Sequence, residues 1–163
     1  MKICSYLLVF IFLAGLLQAQ NSNKDSLYQT NIAKSKLYGF YIPRDIDDAL
    51  QVIDNNTTEE GRASLRTIDE ETMSKKLYFG LGRWMEYQWN FVEGSRFSHY
   101  LREKGLRYVE DMVRFMLITY HRHNVKMPLN SDELIKQLNL ERDKKLEKER
   151  PIISEMVRHK PSE

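Results

Sequence analysis

The chain has 163 residues, with 25 lysines and arginines against 23 aspartates and glutamates, and a formal net charge of +2. This near balance argues against a nucleic-acid-binding surface, which normally carries a marked basic excess. The only cysteine, Cys4, lies near the start of the sequence, so a framework of disulfides is excluded and a folded domain must be stabilised by packing alone.

Residues 1–19 have the layout of a secretory signal peptide. Lys2 precedes a continuous apolar run over residues 6–17, and Ala19 is the small residue before the expected cleavage site. The apolar run is too short to cross a bilayer as a helix, which takes about 20 residues. We therefore predict an exported protein, periplasmic or secreted, with no stable membrane insertion after the signal peptide is removed.

The mature chain is predicted to have three parts. Residues 20–37 are polar and without a clear period, and are predicted to be a flexible leader. Residues 38–127 are predicted to form a helical core domain, and residues 128–163 a C-terminal helical extension and tail. Because no segment alternates strictly between apolar and polar residues, the predicted fold class is all-α, a small single-domain helical bundle.

Periodicity and capping residues predict a series of helices. The first begins after Asp45 as N-cap and carries Ile46, Leu50 and Ile53 on one face. A long helix follows over residues 72–92. Since that helix is apolar around most of its circumference, we predict it to be the central helix of the bundle.

Further helices follow the long one. Ser95 is the expected N-cap of a short helix that ends at Gly105 in the left-handed conformation. Residues 109–125, VEDMVRFMLITYHRHNV, predict the next helix, with acidic residues in its first turn and basic residues in its last. In the C-terminal extension, a capped helix is predicted to start at Asn130 and to continue up to Pro151.

The stretch FGLGRWMEYQWNFVEGS, residues 79–95, is the richest in aromatic residues. Gly80 and Gly82 lack the third glycine of a dinucleotide fingerprint, and we expect them to let a neighbouring helix approach closely. Trp84 and Trp89 would lie about 140° apart around a regular helix. We therefore expect them to pack against different neighbours in the core; the alternative is one tryptophan at the rim of a glycan-binding cleft.

A narrow polar stripe on the long helix, formed by Arg83, Glu86 and Asn90, is the predicted location of any site. No catalytic residue is assigned, and no cofactor or metal is expected, because the histidines show no compact metal-ligand spacing and no serine has a hydrolase frame. The candidate binding residues are Arg83, Trp84, Glu86, Tyr87, Asn90, Asp111 and His121.

Three segments, YIPRDIDDAL, FGLGRWMEYQW and GLRYVEDMVRFMLITYHRHN, resemble a small helical domain-of-unknown-function family found in exported proteins of Bacteroidetes-type bacteria. The resemblance covers about Tyr38 to Val125. The matching positions are Tyr41, Pro43, Phe79, Gly80, Trp84, Trp89, Gly105, Leu106, Asp111, Met112, Tyr120, His121 and Arg122.

This chain departs from the family pattern at two places. It has Glu86-Tyr87 where the family tends to have Arg-Asn, and Tyr108-Val109 where the family has His-Pro. If those family residues form a binding site, this member has altered it. The resemblance implies an exported bacterial helical domain and supplies no activity.

Two functional hypotheses follow. The first is a non-enzymatic exported module that binds a protein or cell-envelope partner. The alternative is a hydrolase-like enzyme beside the long helix, which would use Glu86 together with Arg83, His99, His121 or Asp111. The enzyme hypothesis requires a concave pocket in which at least three of these side chains converge. The sequence gives no oligomeric state.

Overall fold

The structure, a computed structural model, describes residues 25–158, and side chains of residues 25–150. The predicted signal peptide, residues 1–19, lies outside the described residues, as do the start of the leader and His159. The elements are α1 (25–32), β1 (Lys36–Leu37), β2 (Phe40–Tyr41), α2 (Ile46–Asn55), α3 (Glu59–Leu65), α4 (Glu70–Leu77), a π-helical segment (Tyr78–Gly82), α5 (Arg83–Gln88), α6 (Arg96–Glu103), α7 (Val109–Asn124) and α8 (Ser131–Arg158). The prediction of a small all-helical domain is confirmed.

Helix α7 is the centre of the bundle. Eleven of its sixteen residues are buried, and it packs against α2, α3, α4, the π-helical segment, α5 and α8. The prediction that the stretch 72–92 is the central helix is therefore wrong. That stretch packs along one side of α7 and leaves Phe79 and Tyr87 exposed to solvent.

The long helix predicted over residues 72–92 is divided into three pieces. Helix α4 leads into a π-helical segment at Tyr78–Gly82, and α5 then continues as far as Gln88. Gly82 is the point of closest approach to α7, because a Cβ added there would lie 2.8 Å from Cγ1 of Val113. The expectation of a close helix approach holds for Gly82 and not for Gly80, which has no atom within 4 Å of an added Cβ.

The two short strands form an antiparallel ribbon that the sequence did not predict. Lys36 pairs with Tyr41 and Leu37 with Phe40, and the turn residues Tyr38 and Gly39 have φ angles of 50° and 87°. Two positive φ angles are the signature of a type I′ hairpin turn. With two residues in each strand, the ribbon shows no period that sequence analysis can detect.

Asp48 in α2 anchors this ribbon. Its Oδ2 accepts hydrogen bonds from the hydroxyl of Tyr41 at 2.7 Å and from the backbone N–H of Arg44 at 2.9 Å. Burial alone would raise the pKa of Asp48, but the hydrogen bonds from Tyr41 and Arg44 hold that pKa below its ordinary value. The second strand is thus tied to the first turn of α2.

Residues 25–32, within the leader predicted to be flexible, are helical in the structure. Tyr28 packs against the backbone at Gly94, where an added Cβ would lie 2.3 Å from the tyrosine ring. A hydrogen bond of 2.9 Å joins the hydroxyl of Tyr28 to Nδ1 of His99, and the guanidinium of Arg102 lies over the tyrosine ring. Because a single tyrosine anchors residues 25–32 to the domain, this helix packs against it even though its sequence lacks the apolar periodicity of an amphipathic helix.

The predicted helix ends are largely confirmed. Asp45 caps α2 and Ser95 forms a capping box with Ser98. Gly105 has a φ of 109° and the N–H of Leu106 donates to the carbonyl of Leu101, as in a Schellman ending. The last helix, predicted to run up to Pro151 with a short helix or a frayed tail after it, continues without a break to Arg158; the φ angle of proline is itself compatible with a helix.

Among residues 25–158, no helix combines the length and the apolar character that a membrane span requires.

Candidate functional site

A cleft opens between α5, the turn that follows it and the tip of the ribbon. Its volume is about 580 Å³, within the range of typical ligand pockets. We call it the α5 cleft. It is lined by Tyr38, Phe40, Arg83, Glu86, Tyr87, Gln88, Asn90, Val92 and Glu93.

Exposed apolar and aromatic side chains form much of the cleft wall. Tyr38 is 74% exposed, Tyr87 79% and Val92 67%, and Phe40 is exposed as well. Large apolar side chains that cluster at the surface with polar neighbours are typical of interaction sites. The cleft therefore has the composition of a binding surface rather than of a solvated helix face.

Two acid-containing pairs lie among these aromatic side chains. Nη1 of Arg83 donates to Oε2 of Glu86 at 2.7 Å, and this hydrogen bond raises the pKa of Arg83. The hydroxyl of Tyr38 donates to Oε2 of Glu93 at 3.2 Å. That hydrogen bond, followed by the negative charge of Glu93, raises the pKa of Tyr38.

The turn after α5 presents Val92 and Glu93 to the cleft. Asn90 has a φ of 50°, a left-handed conformation that asparagine tolerates better than most residues. Its Nδ2 donates to the carbonyl of Gly94 at 3.1 Å, which closes the turn. Oε1 of Gln88 is buried without a hydrogen-bond partner among the described residues.

Four of the candidate binding residues come together in this cleft: Arg83, Glu86, Tyr87 and Asn90. They share one side of the helical stretch, as the polar stripe predicts. The ribbon residues Tyr38 and Phe40 complete the cleft, and sequence analysis missed them. The signal that could have located them is the Tyr-Gly turn between the short segments Lys36–Leu37 and Phe40–Tyr41.

Trp84 does not line the α5 cleft. It is half-buried against the core, and its ring lies 5.7 Å from that of Trp89 in an edge-to-face arrangement. The expectation of separate neighbours for the two tryptophans is wrong in that their rings contact each other, although Trp89 also packs against Phe91 and Phe97. The placement of Trp89 in the core is confirmed, with 1% exposure.

Asp111 and His121 lie away from the cleft and make structural contacts. Asp111 accepts hydrogen bonds from Nε of Arg142 at 2.9 Å and from Nη2 at 2.7 Å. His121 is buried, and its Nε2 donates to the backbone carbonyl of Ile68 at 2.9 Å. Of the side chains that the hydrolase hypothesis requires, only Arg83 and Glu86 lie together in the cleft. The other three, His99, His121 and Asp111, do not line it. The convergence that a hydrolase requires is therefore not found in the described residues.

A second, polar pocket of about 450 Å³ lies where α2, α3 and the end of α7 meet. Nε2 of His123 is 2.9 Å from Oδ2 of Asp54, and Arg62 and Arg66 both pair with Glu59. Because these charged groups pair with one another, they connect α2, α3 and the end of α7. Within residues 25–150, no cluster of three or more His, Cys, Asp or Glu side chains is placed to hold a metal ion.

Comparison with known protein families gives one match. The family model of the domain of unknown function DUF6794 matches residues 42–124, half of the chain and most of the range over which the resemblance was expected. No curated protein and no solved structure matches the chain. The match includes Arg83, Glu86, Tyr87 and Asn90, whereas the ribbon residues Tyr38 and Phe40 precede it.

Proposed function

We propose that this chain, which belongs to the DUF6794 family, is an exported helical module that binds a protein partner through the α5 cleft. The observation that carries the proposal is the group of exposed aromatic and apolar side chains, Tyr38, Phe40, Tyr87 and Val92, gathered around charged groups in one cleft. The family itself has no assigned activity to transfer.

The chemistry of the cleft favours a protein as the partner. Tyrosine and arginine are enriched among the residues that dominate protein–protein binding energies, and the cleft offers Tyr38, Tyr87 and Arg83. Phe40 and Val92 add apolar surface, so the cleft combines an apolar centre with polar groups around it, as protein interfaces do. A rigid helix and a capped turn hold most of these groups in place, which limits the entropy lost on binding.

Export is supported by the first residues of the sequence. Lys2, the apolar run over residues 6–17 and Ala19 match the three parts of a signal peptide. N-terminal sequencing of protein recovered from the cell envelope or the medium tests this part of the proposal. We expect the recovered chain to begin at Gln20, and recovery of an intact chain in the cytoplasm alone would contradict export.

Binding through the cleft is tested by two matched variants, Tyr87→Ala and Phe79→Ala. Both residues are about equally exposed, at 79% and 82%, but only Tyr87 lines the cleft. The exported protein, with a photo-crosslinking residue in place of Val92, is irradiated in cell-envelope extracts. We expect one defined adduct for the parent protein and for Phe79→Ala, and at least a tenfold loss of that adduct for Tyr87→Ala.

The Phe79→Ala control separates specific recognition by the cleft from non-specific binding by exposed aromatic rings. Equal loss of the adduct in both variants would show that the cleft is not the recognition site. A spread of adducts with no dominant partner would contradict a binding module.

A further inference from the structure

We propose that the group recognised in the α5 cleft is a cationic side chain, a lysine or an arginine of the protein partner. This inference rests on the proposed function, since it names the chemistry that the same cleft selects. Three features of the cleft carry it: an excess of carboxylate, the engagement of its one arginine, and the exposed aromatic rings.

The charged residues that line the cleft are one arginine and two glutamates, Arg83, Glu86 and Glu93, which gives a net charge of −1. Arg83 is held by Glu86 at 2.7 Å, so this pair is neutral overall. Glu93 instead accepts a hydrogen bond from the neutral phenol of Tyr38. The unbalanced charge of the cleft is therefore the carboxylate of Glu93, and complementary charge on a ligand is positive.

The aromatic rings favour the same ligand. A cation is attracted to the face of a tyrosine or phenylalanine ring by the ring's quadrupole, and Tyr38, Phe40 and Tyr87 share the cleft with Glu93. A lysine or arginine has an apolar stem that can lie along such rings while its charged end reaches a carboxylate.

An anionic ligand fits the cleft poorly. Among the described residues, Arg83 is the only cation that lines the cleft, and it already donates to Glu86. An anion would have to compete with that carboxylate and would meet the repulsion of Glu93. The hydrogen bond from Tyr38 to Glu93 raises the pKa of Tyr38, and the negative charge of Glu93 adds to this increase because it opposes a second negative charge nearby.

The test uses short peptides that differ in one group. The probes are acetyl-Ala-Lys-Ala-amide and its norleucine counterpart, which keeps the apolar stem and lacks the ammonium group. Binding to the exported protein is followed by the NMR signals of the Tyr38 and Tyr87 rings. We expect the lysine peptide to bind at least fivefold more tightly, with this preference reduced about twofold or more at high salt.

Two variants assign the preference to the cleft carboxylate. Glu93→Gln keeps the shape of the side chain and removes its charge, and we expect it to reduce the lysine preference to less than twofold. Glu147→Gln makes the same change on an exposed part of α8 and should leave the preference unchanged.

The outcomes separate this inference from the proposed function. Equal binding of both peptides, or a lysine preference that survives Glu93→Gln, would overturn the cationic ligand and leave the crosslinking result with Tyr87→Ala standing. Failure of every probe to shift the tyrosine signals would also overturn the cationic ligand. Absence of a defined adduct for the parent protein, with the lysine preference intact, would instead overturn the protein-binding function.

Discussion

Helix α7 and the helical stretch Glu70–Gln88 are both rich in apolar residues, yet they occupy very different environments. Helix α7 is buried along most of its length, including the polar residues Thr119 and Asn124. The stretch from Glu70 to Gln88 leaves Phe79 and Tyr87 almost fully exposed. The difference teaches that aromatic content alone does not locate a core, since an aromatic-rich stretch can leave large rings at the surface.

The largest expected contrast between the two regions is in stability. Phe115 in α7 is completely buried, whereas Phe79 is 82% exposed. We expect Phe115→Ala to lower the free energy of unfolding by about 3–5 kcal/mol, because the lost side chain leaves a cavity. Phe79→Ala should change it by less than about 0.5 kcal/mol. Urea unfolding of the two variants measures both values, and similar losses would contradict the central position of α7.

How far the sequence predicts this architecture depends on how local each signal is. The caps at Asp45 and Ser95 and the ending at Gly105 are signals within a few residues, and the structure confirms them. Which helix becomes central depends on how many neighbours surround it, and composition does not reveal that. The stretch 72–92 therefore resembled a central helix while α7 occupied that place.

The candidate site shows the same limit. Arg83, Glu86 and Asn90 were predicted to share one side because helical spacing fixes their relative directions. Tyr38 and Phe40 reach the cleft from a ribbon some forty residues earlier, a distance that no periodicity spans. Asp111 and His121 do not line the cleft, and helical spacing could not show this because their partners, Arg142 and the carbonyl of Ile68, lie 31 and 53 residues away in the sequence.

The second expected effect concerns the start of α7. Arg142 from α8 donates to both Asp111 and Glu110, and its guanidinium lies 4.8 Å from the centre of the Tyr108 ring. Removal of one partner from such a largely buried ion pair leaves an uncompensated charge. We expect Arg142→Ala to cost about 3 kcal/mol of unfolding free energy, the lower end of the range for buried pairs.

A double-mutant cycle with Asp111→Ala isolates the coupling of Arg142 and Asp111. If the losses of stability from the two single variants simply add in the double variant, Arg142 and Asp111 are not coupled, and the ion pair does not stabilise the start of α7. The matched control is Lys145→Ala, which lies on an exposed part of α8 and should change stability by less than about 0.5 kcal/mol.

A smaller effect compares two glycines in the π-helical segment of the stretch Glu70–Gln88, which packs against α7. At Gly82 a new Cβ would lie 2.8 Å from Val113 and 3.4 Å from Leu117. We expect Gly82→Ala to destabilise the protein by about 1–2 kcal/mol, since overpacking outweighs the better helix propensity of alanine. Gly80→Ala has open space and should stabilise by about 0.4–1 kcal/mol. Thermal unfolding of both variants measures these changes, and the same sign for both would contradict the close packing at Gly82.

A last effect, similar in size to that at Gly82, concerns the ribbon that forms one wall of the cleft. Asp48→Asn keeps the side-chain shape but weakens the hydrogen bonds from Tyr41 and Arg44, and we expect it to cost about 1–2 kcal/mol near neutral pH. Because folding lowers the pKa of Asp48, the contribution of its carboxylate is complete above the unfolded pKa of about 3.9 and is lost as the pH falls through the folded value. The stability difference between the parent protein and Asp48→Asn should therefore shrink as the pH falls below the unfolded pKa and through the lower folded pKa. Urea unfolding over this range of pH measures the difference, and an unchanged difference at acid pH would show that the charge of Asp48 does not hold the ribbon in place.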